Sequence, residues 1–341
     1  MQGGFSAARP QGTENQSTKF TLPPAPADNH TTPDKVELGR QLFFDARLSG
    51  DNTRSCASCH LPDKAFTDGL ARAATLTMTL VGGNVGIGTT APTVALGVGG
   101  KQLTRNTPTL LNVGVYTSYF WDGRVASLEE QALVPIQSPD EMNQNVDELE
   151  KELNAVTGYR AQFQAVFGAL ATKASIAKAL AAFQRSLVSR NSPFDRFLAG
   201  NGRALSEEAR RGWELFKGDA GCIRCHNGQN FSDSKFYRLG IGFGDKGRSQ
   251  ITGQKGDLFV FRTPGLRNVA RTPPYMHDGS FETLSDVVEY YYRGVPRHMP
   301  EGSRLDIEPL LGQSYSEISD IVAFLESLSG EPVRIAPPKL P

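Results

Sequence analysis

The chain has 341 residues, about twice the length of a typical domain of ~150 residues, so we expect two lobes. Its 36 Lys and Arg residues balance 36 Asp and Glu residues, which argues against nucleic acid or an anionic membrane as the main partner, because both require a basic excess. Apolar residues make up 39% and charged residues 21%, which is typical of a soluble globular protein and excludes a disordered one.

The predicted elements are mostly helices, joined by long loops with little β-structure. Helical periodicity predicts, in chain order, helices at residues 34–46, 127–134, 146–168, 173–189, 206–217, 283–293 and 315–328. The uncharged segment 73–100 is predicted to be a hairpin or a long loop inserted in the first lobe. It is a poor membrane span, because it carries seven glycines and Pro92.

The same patterns predict the domain boundaries. Residues 1–32, rich in polar residues and proline, are predicted to be a flexible arm. Two lobes follow at 33–189 and 206–330, joined by a linker at 190–205, and a proline-rich tail ends the chain at 331–341. The predicted fold class is therefore mainly α, with two cytochrome c-like lobes.

All four cysteines lie in two copies of a C-x-x-C-H pattern, at 56–60 and 222–226. This pattern is typical of c-type haem attachment, in which both thiols form thioethers and the histidine ligates the iron. The attaching residues would be Cys56, Cys59, His60, Cys222, Cys225 and His226. A disulfide or a redox-active pair does not require the histidine, and a zinc site made of four cysteines would leave both histidines without a role. Haem is the favoured interpretation, with zinc and disulfides as alternatives.

Haem of this type is attached outside the cytoplasm, so we expect a periplasmic protein. Residues 1–30 contain no apolar signal core, so we expect the sequence to be a mature form with an added Met1.

The two halves of the sequence repeat each other, so each lobe is expected to hold one haem on equivalent supports. The first half resembles the second at residues 38–43 and 211–216, at 66–68 and 231–233, at 107–113 and 263–269, and at 121–123 and 277–279. Leu128 and Leu284 then open equivalent helices.

The second axial ligand of each iron decides whether a haem reacts with peroxide or only transfers electrons. Apart from the two motif histidines, the chain has only His30, His277 and His298, and none lies between His60 and His226. The first lobe therefore has no internal histidine to complete its iron. Met78 and Met142 remain candidates for that position.

Several further motifs, together with the two haem motifs, resemble those of the bacterial di-haem cytochrome c peroxidase family, which includes MauG-like enzymes. They are RNTPT at 105–109, FWDGR at 120–124, LEEQ at 128–131, EM at 141–142 and PYMHDG at 274–279. The resemblance covers about residues 33–330 and implies two covalently bound haems.

The resemblance implies an asymmetric pair of haems. Peroxidases of the family ligate the second iron with a methionine, and the matching position here is Tyr291, as in the MauG-like branch. Tyr291 lies seven residues after Leu284, and the equivalent position after Leu128 is Pro135, which has no lone pair for iron. We therefore expect a five-coordinate, peroxide-reactive haem at His60 and a second haem ligated by His226 and Tyr291, with oxidising equivalents shared between them.

Alternatives remain for both assignments. Tyr291 could instead be ordinary helix packing, with Met299 or Met276 as the ligand. Many family members carry a distal histidine in the first lobe that moves away on reduction, and its place here falls near Val98. We therefore expect an enzyme that needs no reductive activation.

The family resemblance also implies supporting residues. Glu141 matches the distal acid, Gln131 the distal amide, and Trp121 the indole between the haems. Without the resemblance, Glu141 would be a solvated carboxylate and Trp121 core packing. A calcium ion between the lobes would be held by Asn106, Thr272 and Pro274. His277 is expected to support a haem rather than ligate iron, and His30 and His298 have no assigned role.

Two enzymatic functions and one non-enzymatic function follow from the resemblance. The first is reduction of hydrogen peroxide with electrons from a small cytochrome c or cupredoxin. The second is MauG-like oxidation of residues on a partner protein, but the surface tryptophan used there corresponds to Ala220, and Trp213 lies seven residues earlier. A plain electron carrier would need two six-coordinate irons, which Pro135 argues against. We expect no nucleic-acid partner and no membrane span, and the resemblance leaves a homodimer open.

Overall fold

The computed structural model describes residues 20–70, 76–81, 84–89, 95–293, 305–306 and 314–341, and the residues at 76–81 and 84–89 by their backbone only. The prediction of a mainly α fold is confirmed. The helices are α1 Pro33–Phe44, α2 Leu128–Gln137, α3 Val146–Ala155, α4 Thr157–Phe167, α5 Lys173–Ser186, α6 Pro193–Leu198, α7 Glu207–Lys217, α8 Ser249–Thr252, α9 Leu284–Arg293 and α10 Tyr315–Ser327. The strands are β1 Leu76–Val81, β2 Asn84–Thr89, β3 Phe236–Tyr237 and β4 Phe261–Arg262.

Helix ends follow local capping rules. The Thr32 hydroxyl accepts a hydrogen bond from the Lys35 N–H at the start of α1, and Pro33 occupies the first helical position. The predicted helix at 146–168 is wrong as one element, because the backbone is extended at Val156. Val156, Thr157 and Gly158 are all weak helix formers, which explains the break between α3 and α4.

Each lobe is built on one close crossing of two helices. In the first lobe, Gly39 of α1 lies against the Ala179 carbonyl of α5, and a Cβ at this position would overlap that oxygen. In the second lobe, Gly212 of α7 lies in the same way against the Asp320 carbonyl of α10. The two glycines are equivalent in the repeat, so the repeated sequence encodes a repeated helix crossing.

Replacing Gly39 with alanine is expected to destabilise the protein by about 1–3 kcal/mol, because the added methyl group overlaps backbone atoms that cannot move independently. Chemical denaturation measures this loss. Gly256→Ala is the matched control, since no atom lies within 4 Å of a Cβ built there. Equal unfolding free energies for the two variants would contradict this account of the crossing.

The segment predicted to be a linker belongs to the second lobe. Residues 193–198 form α6, and Phe194 is fully buried in the second core. Its ring contacts those of Trp213 and Phe324 at centroid distances of 5.0 and 5.2 Å. The linker prediction is therefore corrected, because Phe194 and Leu205, with Phe197 and Leu198 packed beside them, hold this polar segment on the second core.

The flexible-arm prediction is also corrected from Phe20 onward, and residues 1–19 lie outside the described residues. Phe20 and Asn29 are buried. The Asn29 amide donates to Glu129 Oε1 at 2.6 Å in the first lobe, and the Thr21 N–H donates to Gln229 Oε1 at 2.9 Å in the second. These bonds hold the segment against both lobes.

The chain end returns to the first lobe. Val333 and Ile335 pack against the first core, and the Arg40 guanidinium donates to the Ala336 carbonyl at 2.7 Å. The predicted tail 331–341 therefore packs against the surface of the first lobe.

The predicted hairpin is confirmed by its backbone: β1 and β2 pair antiparallel, from Leu76 opposite Thr89 to Val81 opposite Asn84. Over the part of the chain that the structure describes, we find no helix with the length and apolarity needed to span a bilayer.

Candidate functional site

The first C-x-x-C-H motif forms a single tight turn. The His60 N–H donates to the Cys56 carbonyl at 2.9 Å, which folds the histidine back over the two cysteines. The His60 Nδ1 atom lies 2.9 Å from the Phe66 carbonyl oxygen. Phe66 presents this oxygen from a left-handed backbone conformation with φ of 61°.

The second motif repeats this geometry. The His226 N–H donates to the Cys222 carbonyl at 2.9 Å, and Nδ1 of His226 lies 3.0 Å from the Phe231 carbonyl oxygen. Phe231 is also left-handed, with φ of 53°. In each lobe, the motif histidine is thus oriented by the carbonyl of a phenylalanine in a left-handed backbone conformation.

The two histidines are prepared to bind a metal through Nε2. Since a carbonyl oxygen can only accept, Nδ1 must donate, and Nε2 keeps its lone pair. Burial lowers the pKa of both imidazoles below their usual value, and the carbonyl hydrogen bonds only partly oppose this. Both rings are therefore neutral at neutral pH, the form that ligates iron.

The alternatives of zinc or disulfides do not fit the cysteines. Cys56 packs on the first core and Cys222 on the second, so the two motifs do not form one four-cysteine site. Cys56, Cys222 and Cys225 form no disulfide, and the described residues contain no group of three or more metal-binding side chains. Burial raises the pKa of the Cys56 and Cys222 thiols to about 12, which excludes reactive thiolates. The residues fit covalent haem attachment.

Pro135 and Tyr291 occupy equivalent positions on equivalent helices. α2 and α9 have ten residues each and begin at the buried residues Leu128 and Leu284. Each follows a loop closed by one antiparallel bridge, between residues 119 and 125 or between residues 275 and 281. The folded chain therefore keeps the seven-residue relation found in the sequence.

Three consecutive tyrosines on α9 have different surroundings. The Tyr290 hydroxyl donates to the Leu239 carbonyl at 2.5 Å, and Tyr292 is buried in the second core. The Tyr291 hydroxyl makes no hydrogen bond to a described residue. Burial raises the pKa of Tyr291 above its usual value, and both Cys222 and Cys225 are close enough to act on its hydroxyl group. Tyr291 therefore lies beside the second haem-attachment motif.

The described methionines, Met142 and Met276, are weak candidates for iron ligands. Met142 is buried in the first core. The Met276 carbonyl lies 3.2 Å from the Asn106 amide nitrogen, at the boundary between the lobes. The Met78 side chain, His298 and Met299 lie outside the described residues.

Glu141 lies close enough to the first motif to act on Cys56, and Gln131 lies on α2. Burial raises the pKa of Glu141, partly opposed by a hydrogen bond from Ser138 and by the Arg124 charge. The Glu141 charge in turn acts on Cys56. The Glu141 carbonyl accepts a bond from the Val98 N–H at 2.8 Å, so the place of the missing distal histidine adjoins this carboxyl group. Gln131 Oε1 is buried and has no hydrogen-bond partner in the described part of the chain.

Trp121 lies where the lobes meet. Its indole N–H donates to the Asn106 carbonyl at 2.9 Å, and its own carbonyl accepts from the Arg262 N–H of the second lobe at 2.8 Å. Trp121 is therefore held through its ring by the first lobe and through its backbone by the second.

The three residues predicted to hold calcium are brought only partly together. The Asn106 amide nitrogen lies 2.6 Å from the Pro274 carbonyl oxygen, whereas the Thr272 hydroxyl donates to the Val269 carbonyl at 3.1 Å. Rotating the Asn106 amide would place its oxygen beside the Pro274 carbonyl, and a pair of such oxygens suits a hard cation.

His277 is buried and stacks on the Phe261 ring at a centroid distance of 3.6 Å. Its Nε2 atom has no hydrogen-bond partner among the described residues. His30 is exposed, and only its backbone carbonyl is engaged, by Lys35.

Sequence analysis missed an ion network at the lobe boundary. The Arg105 guanidinium binds the carboxylates of Asp122 and Asp245. Arg105 stands in a quoted motif, but its partner Asp245 lies in a loop of the second lobe that has no motif. Sequence signals existed for Arg105 and for Asp122, which lies in the FWDGR motif, but not for Asp245. The equivalent of Arg105 in the repeat is Phe261, which carries no charge.

Comparison with known proteins places this geometry among di-haem enzymes. A profile of the family described as di-haem cytochrome c peroxidase matches residues 33–203. The chain is 40% identical to the methylamine utilization protein MauG of Methylorubrum extorquens, over 93% of this chain and 84% of that protein. It is 38% identical to the cytochrome-c peroxidase IdrP1 of Denitromonas iodatirespirans, over 93% of this chain and 88% of that one.

A solved structure has a similar fold. It is a MauG-like protein associated with microbial copper homeostasis, 32% identical, with a TM-score of 0.76 over 92% of this chain and 94% of that one.

Proposed function

This chain belongs to the di-haem cytochrome c peroxidase family, and from that premise we propose that it reduces hydrogen peroxide in its first lobe with electrons delivered through its second. The observation that carries the proposal is the equivalence of Pro135 and Tyr291 on α2 and α9. It supports a first lobe with one iron face free for peroxide and a second lobe with both iron faces occupied.

Family membership implies two c-type haems, one for each C-x-x-C-H motif. Cys56, Cys59 and His60 would hold the first haem, and Cys222, Cys225, His226 and Tyr291 the second. When bound, the two haems supply an iron that accepts peroxide and an iron that exchanges single electrons.

The protein side chains supply proton transfer and orientation. Glu141, as a carboxylate, would take a proton from hydrogen peroxide and return it to the departing oxygen. Gln131 orients the peroxide, because its buried Oε1 can accept a hydrogen bond. Trp121, held by both lobes, provides the path for electrons between them.

The Tyr291 ligand gives a spectroscopic prediction. Tyr291→Phe removes the phenolic oxygen, so the second haem is expected to change from low spin to high spin in the electron paramagnetic resonance spectrum of the oxidised protein. Tyr290→Phe, which loses only the bond to the Leu239 carbonyl, is the matched control and should keep the original spectrum. An unchanged spectrum in Tyr291→Phe would show that another residue is the ligand.

A small redox protein is the favoured electron source. Ala220, at the position of the surface tryptophan used by MauG-like enzymes, is buried, and Trp213 is buried in the second core. Neither presents an indole to a partner protein. MauG-like oxidation of a protein partner is therefore the second candidate, behind a cytochrome c or cupredoxin donor.

Three further features belong to the same proposal. We place the protein in the periplasm, because c-type haem is attached outside the cytoplasm. A calcium ion would sit between Asn106 and Pro274, with Thr272 contributing its carbonyl. The first lobe would carry the peroxide chemistry and the second the electron transfer.

The deciding experiment uses the oxidised di-haem protein without prior reduction. We expect one high-spin and one low-spin ferric signal, an immediate optical change on adding peroxide, and rapid peroxide turnover with reduced cytochrome c. Two low-spin signals and no peroxide response would overturn the proposal. Slow turnover with cytochrome c and a fast peroxide response would favour a protein substrate.

A further inference from the structure

The two lobes meet through a reciprocal pair of backbone hydrogen bonds. The Asn106 N–H donates to the His277 carbonyl at 2.7 Å, and the Arg262 N–H donates to the Trp121 carbonyl at 2.8 Å. In the internal repeat, Asn106 is equivalent to Arg262, and Trp121 to His277. The contact is therefore close to two-fold symmetric, as in an isologous dimer, although both sides belong to one chain.

Arg105 breaks this symmetry. Its equivalent in the repeat is Phe261, which stacks on His277 and cannot form an ion pair. Arg105 donates from Nε and Nη2 to Asp245 of the second lobe at 2.6 and 3.0 Å. Its Nη1 donates to Asp122 at 2.6 Å. One guanidinium thus joins the two lobes next to Trp121 in the chain, since Asp122 follows Trp121 and Arg105 precedes Asn106, whose carbonyl accepts the Trp121 indole N–H.

The charges of this network are shielded from water. Asp122 is fully buried, and the side chains of Arg105 and Asp245 are each 17% exposed. Buried charges act on their neighbours with little screening by salt. Arg124 also reaches Asp122, at 3.3 Å, but is 34% exposed. Arg248 reaches Asp122 through the Asp122 backbone carbonyl and pairs with the carboxylate of Asp257.

The hydrogen bonds of the Arg105 guanidinium are shared between two carboxylates. Asp245 takes two of its hydrogen bonds and Asp122 takes one. While Asp245 shares the positive charge, Asp122 keeps part of its negative charge one residue from Trp121. A negative charge there favours the partial positive charge that an indole carries when an electron passes through it. Without Asp245, Arg105 would be paired with Asp122 alone and would cancel that charge.

We propose that Arg105 and Asp245 are positioning residues for Trp121, which set how readily one electron crosses between the lobes. The inference rests on the proposed role of Trp121 as the electron path. In the step concerned, one electron leaves the second lobe, which is oxidised, and enters the first lobe, which is reduced, and no proton is transferred.

The test is Asp245→Asn in the oxidised di-haem protein. One electron is introduced by photoreduction, and its redistribution between the two haems is followed by optical absorption. We expect the redistribution rate to fall roughly tenfold. The electron paramagnetic resonance signals of both haems should be unchanged, and Asp245→Glu should restore most of the rate.

Asp320→Asn is the matched control. Asp320 also receives two hydrogen bonds from one arginine, Arg211, at 2.8 Å each, but this pair joins α7 to α10 within the second lobe. Its redistribution rate should match that of the parent protein. A parent-like rate in Asp245→Asn would overturn the proposal.

If the Asp245→Asn protein fails to incorporate both haems, the redistribution rate is measured in Arg105→Lys instead. Lysine keeps the charge but cannot span both carboxylates in the planar arrangement of arginine. We expect a slower rate, and an unchanged rate would overturn the proposal.

Trp121→Phe separates this inference from the proposed function. If Trp121→Phe slows redistribution and Asp245→Asn does not, only the inference fails. If Trp121→Phe keeps the parent rate, the electron path through Trp121 is wrong and the inference fails with it.

Discussion

Replacing Glu141 with glutamine is expected to lower kcat/KM for hydrogen peroxide by about 10²–10⁴-fold, the usual effect of losing a general acid–base group. Glutamine has nearly the same shape but cannot take the peroxide proton. The measurement is the rate of the first optical change after peroxide is added to the oxidised di-haem protein. Haem content and spectra before peroxide should match those of the parent.

The same carboxyl group predicts the pH profile. Burial raises the pKa of Glu141 in the folded protein. Since the carboxylate is the active form, the peroxide rate should fall as the pH drops through this raised pKa, above the usual glutamate value of about 4.3. This acid limb should be absent in Glu141→Gln, and Glu141→Asp should retain it.

Asp140→Asn is the matched control for Glu141. Asp140 is the adjacent residue, but its exposed side chain pairs with Lys101 at the surface. The substitution should leave the peroxide rate at neutral pH unchanged and keep the acid limb, displaced slightly to lower pH because the Asp140 charge contributes to the raised pKa of Glu141. If Asp140→Asn and Glu141→Gln have equal rates, Glu141 is not the proton-transfer group.

Replacing Pro135 with histidine is expected to close the iron face that we propose to be open in the first lobe. The position matches that of Tyr291 on the equivalent helix, so an imidazole there would give the first haem two axial ligands. We expect its ferric signal to change from high spin to low spin. The peroxide rate should fall by roughly a hundredfold, equivalent to about 2.7 kcal/mol of ligand binding.

Pro135→Ala separates ligation from helix effects. Pro135 lies inside α2, where proline removes a helix hydrogen bond. Alanine restores the N–H and offers no ligand, so stability should not fall and the peroxide rate should remain near that of the parent. A Pro135→His protein that stays high spin and reacts at the parent rate would show that residue 135 does not face the iron.

The repeat made much of the fold predictable, because each lobe is encoded by local motifs that recur with the same spacing. The errors fall where polar segments are anchored by few residues. Residues 190–205 have a linker-like composition, yet Phe194 and Leu205 are buried in the second core, and Phe197 and Leu198 pack against it. Asn29 likewise holds an apparently flexible segment through side-chain hydrogen bonds, which composition does not predict.

The sequence by itself determined the family, the mainly α fold and the two haem-attachment motifs, because thioether attachment and an adjacent histidine need only a short, fixed spacing. The tertiary structure decided how the lobes meet: Asn106 with His277, Trp121 with Arg262, and Arg105 with Asp245. These partners lie far apart in the chain, and their contacts form only when two complete cores bring their surfaces together. No local pattern of residues encodes that pairing.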